Sequence, residues 1–314
     1  MPKKCHVERV VAEKYQKLRE LLRTYESCLV AYSGGVDSAF LAVVARDVLA
    51  GKSLAAIADS PSLPRRELEE ALELGNKFRF PVRVIQTREF ENPAYLSNPN
   101  NRCYFCKHEL FSHLAPLARA ESFAVVAYGE NASDMGDFRP GAQAASEFEV
   151  RAPLKEAGLT KSEIRKLSAQ LGLPTAEKPQ MACLSSRVPY GEPVTEEKLR
   201  MIEQAENLLR ELGFYDVRVR HHELPPAAPS LLKGLAVPAK SPARFLARIE
   251  VGLCELPRFV EDSVREKVAA ELKKIGYAHV TVDLAGYRRG SVNEAISLPR
   301  GAPEKGGSTI DTHG

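Results

Sequence analysis

Five apolar residues, Cys28-Leu29-Val30-Ala31-Tyr32, run straight into Ser33-Gly34-Gly35-Val36-Asp37-Ser38, and a helical pattern starts near Ala39. An unbroken apolar run closed by a glycine turn reads as a strand buried on both faces, the habit of a parallel sheet covered by helices. Strand-like runs recur at Leu54 to Ala58, Val82 to Gln86 and Phe123 to Tyr128, interleaved with helical stretches at Val7 to Glu26, Arg65 to Phe78 and Phe105 to Glu121. This alternation predicts an α/β fold with a doubly wound parallel sheet. Ligands of such sheets bind at the carboxyl ends of the strands, which directs attention to the loops after Tyr32, Ala58 and Tyr128.

From Thr195 the pattern changes to a helix reaching Leu212, strands at Tyr215 to Arg220 and Leu246 to Gly252, a helix from Arg258 to Ile275 and a strand at His279 to Leu284. That is a second, smaller α+β domain. The expected division is 1–192 for the first domain and 193–299 for the second, with a proline-rich insertion at 223–244 and a disordered tail at 300–314. A chain of 314 residues is long enough for both. No apolar run approaches the ~18 residues that would span a bilayer, and the charged amino terminus lacks the apolar core of a signal peptide. The expected location is the reducing cytoplasm, where six cysteines are not a disulfide scaffold.

The hexapeptide Ser33 to Ser38 carries the strongest chemical signal. A strand, a glycine turn and a helix start together offer free N–H groups and the positive end of a helix dipole, which is an anion site. Gly34 and Gly35 let the backbone approach phosphate oxygens, and the Ser33 and Ser38 hydroxyls add donors. A carboxylate is out of place in an anion site unless a cation comes with the anion, so Asp37 reads as a partner for Mg²⁺ on the phosphates. Gly51-Lys52-Ser53 resembles the end of a Walker A loop, but Arg46 stands where that motif needs glycine, and no G-x-G-x-x-G follows a strand.

The hexapeptide resembles the SGGxDS signature of the PP-loop ATP pyrophosphatases, of the adenine nucleotide alpha hydrolase-like fold. Further matches narrow the resemblance to the LarE family. They include Ala58-Asp59-Ser60-Pro61, Gly129-Glu130-Asn131-Ala132, Arg139-Pro140-Gly141 and Arg151-Ala152-Pro153-Leu154, and they continue through Leu159 to Arg165, Lys178 to Gly191, Val217 to His222, Ala247 to Glu250 and Gly286 to Ser291. The resemblance spans roughly 7–298. It implies an ATP-dependent sulfur transferase that adenylylates pyridinium-3,5-biscarboxylic acid mononucleotide and converts it to a thiocarboxylate, toward the nickel-pincer nucleotide of lactate racemase. It implies ATP contacts at Ser33, Gly34, Gly35, Val36, Asp37, Ser38, Ala58, Ser60 and Gly129, and substrate contacts at Arg187, Arg218, Arg220, Glu206 and Glu250. A homo-oligomer, a trimer or hexamer, is implied as well.

Cys183 matches the family's sulfur-bearing cysteine. An acyl adenylate is electrophilic, and a neighbouring Arg187 would favour the thiolate that attacks it. Family members with three cysteines hold a four-iron four-sulfur cluster, so the resemblance implies Cys103, Cys106 and Cys183 as its ligands here. Structural zinc completed by His108, a redox disulfide and plain packing are the competing readings of Cys103 and Cys106. Cys5, Cys28 and Cys254 read as structural. Between Arg220 and Ala247 the chain departs from the family's short connection, around His221 and His222. Two other functions stay open. A PP-loop tRNA thiolase is disfavoured by 44 basic against 41 acidic residues, well mixed. A non-catalytic nucleotide- or zinc-binding partner protein would need no nucleophilic Cys183.

Overall fold

The structure, a computed structural model, describes residues 2–134, 140–179, 182–225 and 244–288, with side chains from residue 8 onward. The tail at 300–314, most of the 223–244 insertion, and the motif residues Arg139, Gln180, Met181, Arg289, Gly290 and Ser291 lie outside the described residues, as does the Cys5 side chain.

The first unit runs α1 (Pro2–Thr24), β1 (Cys28–Tyr32), α2 (Val36–Leu49), β2 (Ser53–Asp59), α3 (Arg65–Phe78) and β3 (Val82–Gln86). It continues through α4 (Pro93–Leu96), α5 (Arg102–Ala120), β4 (Val125–Tyr128), α6 (Pro140–Glu147), α7 (Pro153–Glu156) and α8 (Lys161–Gln170). The four strands form a parallel sheet in the order β3-β2-β1-β4, and a single bridge from Ala127 to Arg151 extends it beyond β4. Alternation along β1 builds two cores. Cys28, Val30 and Tyr32 face α1, α2, α3 and α8, while Leu29 and Ala31 face α5 and α6. The chain winds outward from β1 to β3 and then crosses to β4, so the reversal of strand order falls between β1 and β4, where a crevice opens at the strands' carboxyl ends.

Helix α2 begins at Val36, three residues before the apolar periodicity suggests. Extended Gly35 caps it and accepts the first helical bond from the Ala39 N–H at 2.9 Å, which puts Asp37 and Ser38 in the first turn. Helix α5 likewise starts at Arg102, so Cys103 and Cys106 stand about one turn apart at its start. In both helices the first turn is polar or functional, and the hydrophobic repeat becomes visible only after it.

The second unit comprises α9 (Glu196–Glu211), β5 (Val217–Leu224), β6 (Arg244–Val251), α10 (Asp262–Ile275) and β7 (Tyr277–Val282), with sheet order β5-β6-β7. Thr195 caps α9 as its composition suggests, its hydroxyl accepting the Lys198 N–H. One sheet face buries Val217, Val219, Ala247 and Ile249 against α9 and α10. No helix among the described residues is long and apolar enough to cross a membrane.

Candidate active site

The loop after β1 is knotted by one side chain. The Ser38 hydroxyl accepts the Ser33 N–H at 3.1 Å, stands 3.0 Å from the Ser33 hydroxyl and donates to the Gly35 carbonyl at 3.2 Å. Gly34 has φ +70°, where L side chains are strained, and a Cβ there would stand 3.0 Å from Ala71 Cβ. Gly129, at the end of β4, lies against the same helix start: an added Cβ would come within 2.9 Å of Ser38 N and 3.2 Å of the Asp37 carbonyl carbon. The switch point of the sheet is therefore a backbone-lined cradle at the N-terminus of α2, the arrangement that binds phosphate. Ala58 and Ser60 flank it at the end of β2, with Ser60 hydrogen-bonded to Ser62 at 2.9 Å between hydroxyls.

Asp37 is the one acidic group of that turn. Lys161, the first residue of α8, donates to its Oδ2 at 2.6 Å, and Asn131 adds a weaker contact at 3.4 Å. Burial outweighs Lys161 and raises the carboxyl above its ordinary value. Asp37 Oδ1 is buried with no hydrogen-bond partner among the described residues. An orphaned carboxylate oxygen beside a phosphate cradle fits a Mg²⁺ ligand. Lys161 lies within the Leu159–Arg165 motif, whose sequence gives it no evident place at the site. Only the fold brings the α8 start, secured by the Thr160–Glu163 capping box, to α2.

The segment carrying Cys183 is pinned from three sides. The Leu184 N–H donates to the Ser62 carbonyl at 2.9 Å, which ties it to the loop after β2. Tyr95 Oη is 2.8 Å from Ser185 Oγ, and buried Arg102 donates to the Ser185 carbonyl at 2.9 Å and to Asn98 Oδ1. Asn98 in turn donates to the Pro189 carbonyl at 2.7 Å. Besides burial, Cys103 and Cys183 both disfavour the Cys106 thiolate. Burial is the main cause that holds Cys106 well above the ordinary thiol value, followed by Glu89, Cys183 and Cys103, with Arg102 opposing. Tyr95, Asn98 and Arg102 were not singled out by sequence, because each is a common residue type whose partners lie about ninety positions away.

The described cysteines are all free, and no three His, Cys, Asp or Glu side chains among the described residues converge as ligands of a single metal ion. His108 packs its ring against Tyr104 and Phe148. The zinc alternative therefore has no assembled ligand set among these residues. Cys103 and Cys106 on α5, with Cys183, are three thiols of the donor type a four-iron four-sulfur cluster takes. Cys28 is buried in β1, its thiol pushed up to about 12 by burial, and Cys254 is exposed and far from the trio in sequence.

Arg187 and Glu206, expected at the substrate site, are paired with each other. Both are fully buried. Arg187 donates from Nε to Glu206 Oε1 at 2.8 Å and from Nη2 to Oε2 at 3.0 Å, a two-point ion pair. Glu206 also accepts from Arg210 at 2.9 Å and from the Val219 N–H at 3.1 Å. The remaining Arg187 nitrogen donates to the carbonyls of Ala182 at 2.5 Å and Cys183 at 3.0 Å. Arg187 thus holds the Cys183 backbone, with its charge neutralised by Glu206. Glu250 is likewise occupied, by Arg220 at 2.9 Å and Arg248 at 3.0 Å. Arg220 reaches the Ser186 carbonyl at 2.9 Å, and Arg218 stacks its guanidinium 4.8 Å from the Tyr287 ring centroid. Both arginines do lie on one side of β5, opposite the core-facing Val217 and Val219. His221 is buried beside Tyr277 and Phe245, its pKa depressed by burial to about 3, and His222 accepts from Arg248 at 3.3 Å.

No protein-family model matches the chain. The chain is similar to an uncharacterised protein of Synechocystis sp., 40% identical over 288 residues that cover 92% of this chain and 100% of the relative. It is 30% identical over 288 residues to the pyridinium-3,5-bisthiocarboxylic acid mononucleotide synthase of Lactiplantibacillus plantarum, covering 91% of this chain and 96% of that enzyme. Over 236 residues it is 24% identical to the glutamine-hydrolysing GMP synthase of Enterococcus faecalis, 65% of this chain and 43% of that protein.

Proposed function

The chain belongs to the LarE family of PP-loop sulfur transferases, and on that premise we propose that it adenylylates pyridinium-3,5-biscarboxylic acid mononucleotide and replaces carboxylate oxygen by sulfur, on the route to the nickel-pincer nucleotide of lactate racemase. The observation that carries the reading is the bond from Leu184 to Ser62, which joins the Cys183 segment to the loop beside the phosphate cradle. Adenylylation and sulfur delivery can then share one substrate.

ATP binds with its phosphates on Ser33 to Ser38. A substrate carboxylate oxygen attacks the α phosphorus, and pyrophosphate leaves as its growing charge meets the loop amides, the α2 dipole and Lys161. Mg²⁺, held by Asp37, would supply further charge neutralisation on the phosphates. Sulfur delivered at Cys183 then attacks the acyl carbon, and AMP departs with the former carboxylate oxygen. Arg187 fixes the Cys183 backbone for that attack, and Arg218 and Arg220 take the substrate phosphate. Cys103, Cys106 and Cys183 would hold a four-iron four-sulfur cluster, which when bound supplies an exchangeable sulfide. The proposal includes a homo-oligomer, a trimer or hexamer.

Anaerobic incubation of the full chain with ATP, Mg²⁺, the dicarboxylate mononucleotide and sulfide tests the function. The expected products are a thiocarboxylate mononucleotide, AMP and pyrophosphate. Bound iron with an unchanged polypeptide mass supports the cluster, and loss of one hydrogen sulfide equivalent from the chain shows a sacrificial cysteine in its place. A chain that binds ATP and yields no sulfur-bearing product refutes the function.

A further inference from the structure

The short turn Glu89–Glu91 that follows β3 meets three segments that the reaction has to bring together. Just before it, the Arg88 N–H donates at 3.0 Å to Glu109 of α5, the helix that carries Cys103 and Cys106. Phe90 packs against the apolar cluster of Leu184, Val188 and Ile202 that begins one residue after Cys183. Glu89 itself is 2% exposed, and its Oε1 accepts from the Ser62 hydroxyl at 3.3 Å. Ser62 is the joint. Its hydroxyl lies 2.9 Å from the Ser60 hydroxyl beside the phosphate cradle, and its carbonyl accepts the Leu184 N–H at 2.9 Å. The other carboxylate oxygen, Glu89 Oε2, is buried with no hydrogen-bond partner among the described residues. A buried carboxyl held by one long hydrogen bond costs folding free energy that an apolar side chain of the same size would not. Stability alone gives no reason for a carboxyl at this position, whereas a place at the joint does.

We propose that Glu89 is a positioning residue: by holding Ser62 it fixes the Cys183 segment against the ATP loop, so that the adenylate formed at one is met by sulfur at the other. Glu89 acts through Ser62 and Leu184. Its part in coupling the two steps rests on the proposed sulfur transfer; its hold on the Leu184 amide does not.

Glu89→Gln keeps an acceptor for Ser62, and Glu89→Leu removes it. In single-turnover reactions of the full chain, both variants should release pyrophosphate within about 2-fold of the wild-type rate, while Glu89→Leu alone slows thiocarboxylate formation by about 10- to 100-fold, the scale of a misplaced reacting group. Amide hydrogen exchange without substrate should show the Leu184 N–H exchanging faster in Glu89→Leu and at the wild-type rate in Glu89→Gln. A melting temperature lowered by many degrees in both variants, with pyrophosphate release and sulfur transfer slowed alike, would make Glu89 a plain structural residue and overturn the proposal. If wild type makes thiocarboxylate and Glu89→Leu leaves the exchange of Leu184 unchanged, or Glu89→Gln uncouples the steps as Glu89→Leu does, the positioning role falls and the sulfur transferase reading stands. If wild type makes no thiocarboxylate, that reading falls and the coupling role with it, while faster Leu184 exchange in Glu89→Leu alone still upholds the hold on the Cys183 segment.

Discussion

Glu206→Gln should cost more stability than any surface substitution in this chain, because it strands a charge. Arg187 and Glu206 are both fully buried, and Glu206 accepts four hydrogen bonds, two from Arg187, one from Arg210 and one from the Val219 amide. These partners overcome burial and hold the Glu206 carboxyl down at about 2 against an ordinary 4.5. At ~1.4 kcal/mol per pKa unit that difference is about 3 kcal/mol. Breaking a buried ion pair from one side costs about 3–5 kcal/mol, which agrees. With ~2–4 °C per kcal/mol, the melting temperature should drop by about 10 °C in a thermal melt followed by circular dichroism. Since the folded pKa is depressed, the contribution is complete above pH 4.5 and drains away as the pH falls toward 2, so the Gln variant should lack that part of the acid-induced loss. Arg187→Met with Glu206→Leu removes both charges of the pair but leaves Arg210 and the Val219 N–H without their acceptor, so it should recover only part of the stability. It should not recover sulfur transfer, because the bonds from Arg187 to the Ala182 and Cys183 carbonyls are gone. A Glu206→Gln penalty below about 1 kcal/mol, or a double variant with full sulfur transfer, would refute this account of the pair.

Gly129→Ala pushes a Cβ to 2.9 Å from Ser38 N, so ATP binding by calorimetry should be lost or weakened at least tenfold, with an overpacking cost of about 1–3 kcal/mol. Lys161→Met leaves Asp37 buried without its 2.6 Å partner; pyrophosphate release should slow by about 10²-fold or more while the dicarboxylate affinity holds. Arg102→Met orphans Asn98 Oδ1 and the Ser185 carbonyl, which should cost about 2–4 kcal/mol in urea denaturation and slow sulfur transfer more than AMP formation.

Much of this was legible without coordinates, for identifiable reasons. The run from Cys28 to Tyr32 is buried on both faces, so its lack of alternation was itself the signature of a central parallel strand. Gly34 marks the cradle because its φ of +70° and the 3.0 Å approach of Ala71 Cβ strain any larger residue there. What stayed hidden were partners far apart in sequence. Arg187 read as the neighbour of a reactive thiol, yet its guanidinium turns away to Glu206 nineteen positions on and spends its last nitrogen on backbone. The arginine partners of Glu206 and Glu250 were likewise invisible in the sequence, although a fully buried carboxylate persists only when paired. Lys161 and Arg102 begin helices α8 and α5, and first turns are where hydrophobic periodicity carries no information.

The central claim is that a substrate carboxylate attacks ATP before sulfur enters. The dicarboxylate mononucleotide labelled with heavy oxygen in its carboxylates, incubated with the full chain, ATP and a sulfur source, tests it by mass spectrometry of the AMP formed. The account predicts AMP carrying one heavy oxygen for every thiocarboxylate produced. Unlabelled AMP alongside thiocarboxylate would mean that ATP is cleaved by water and that the adenylate at the Ser33 to Ser38 loop is not the intermediate.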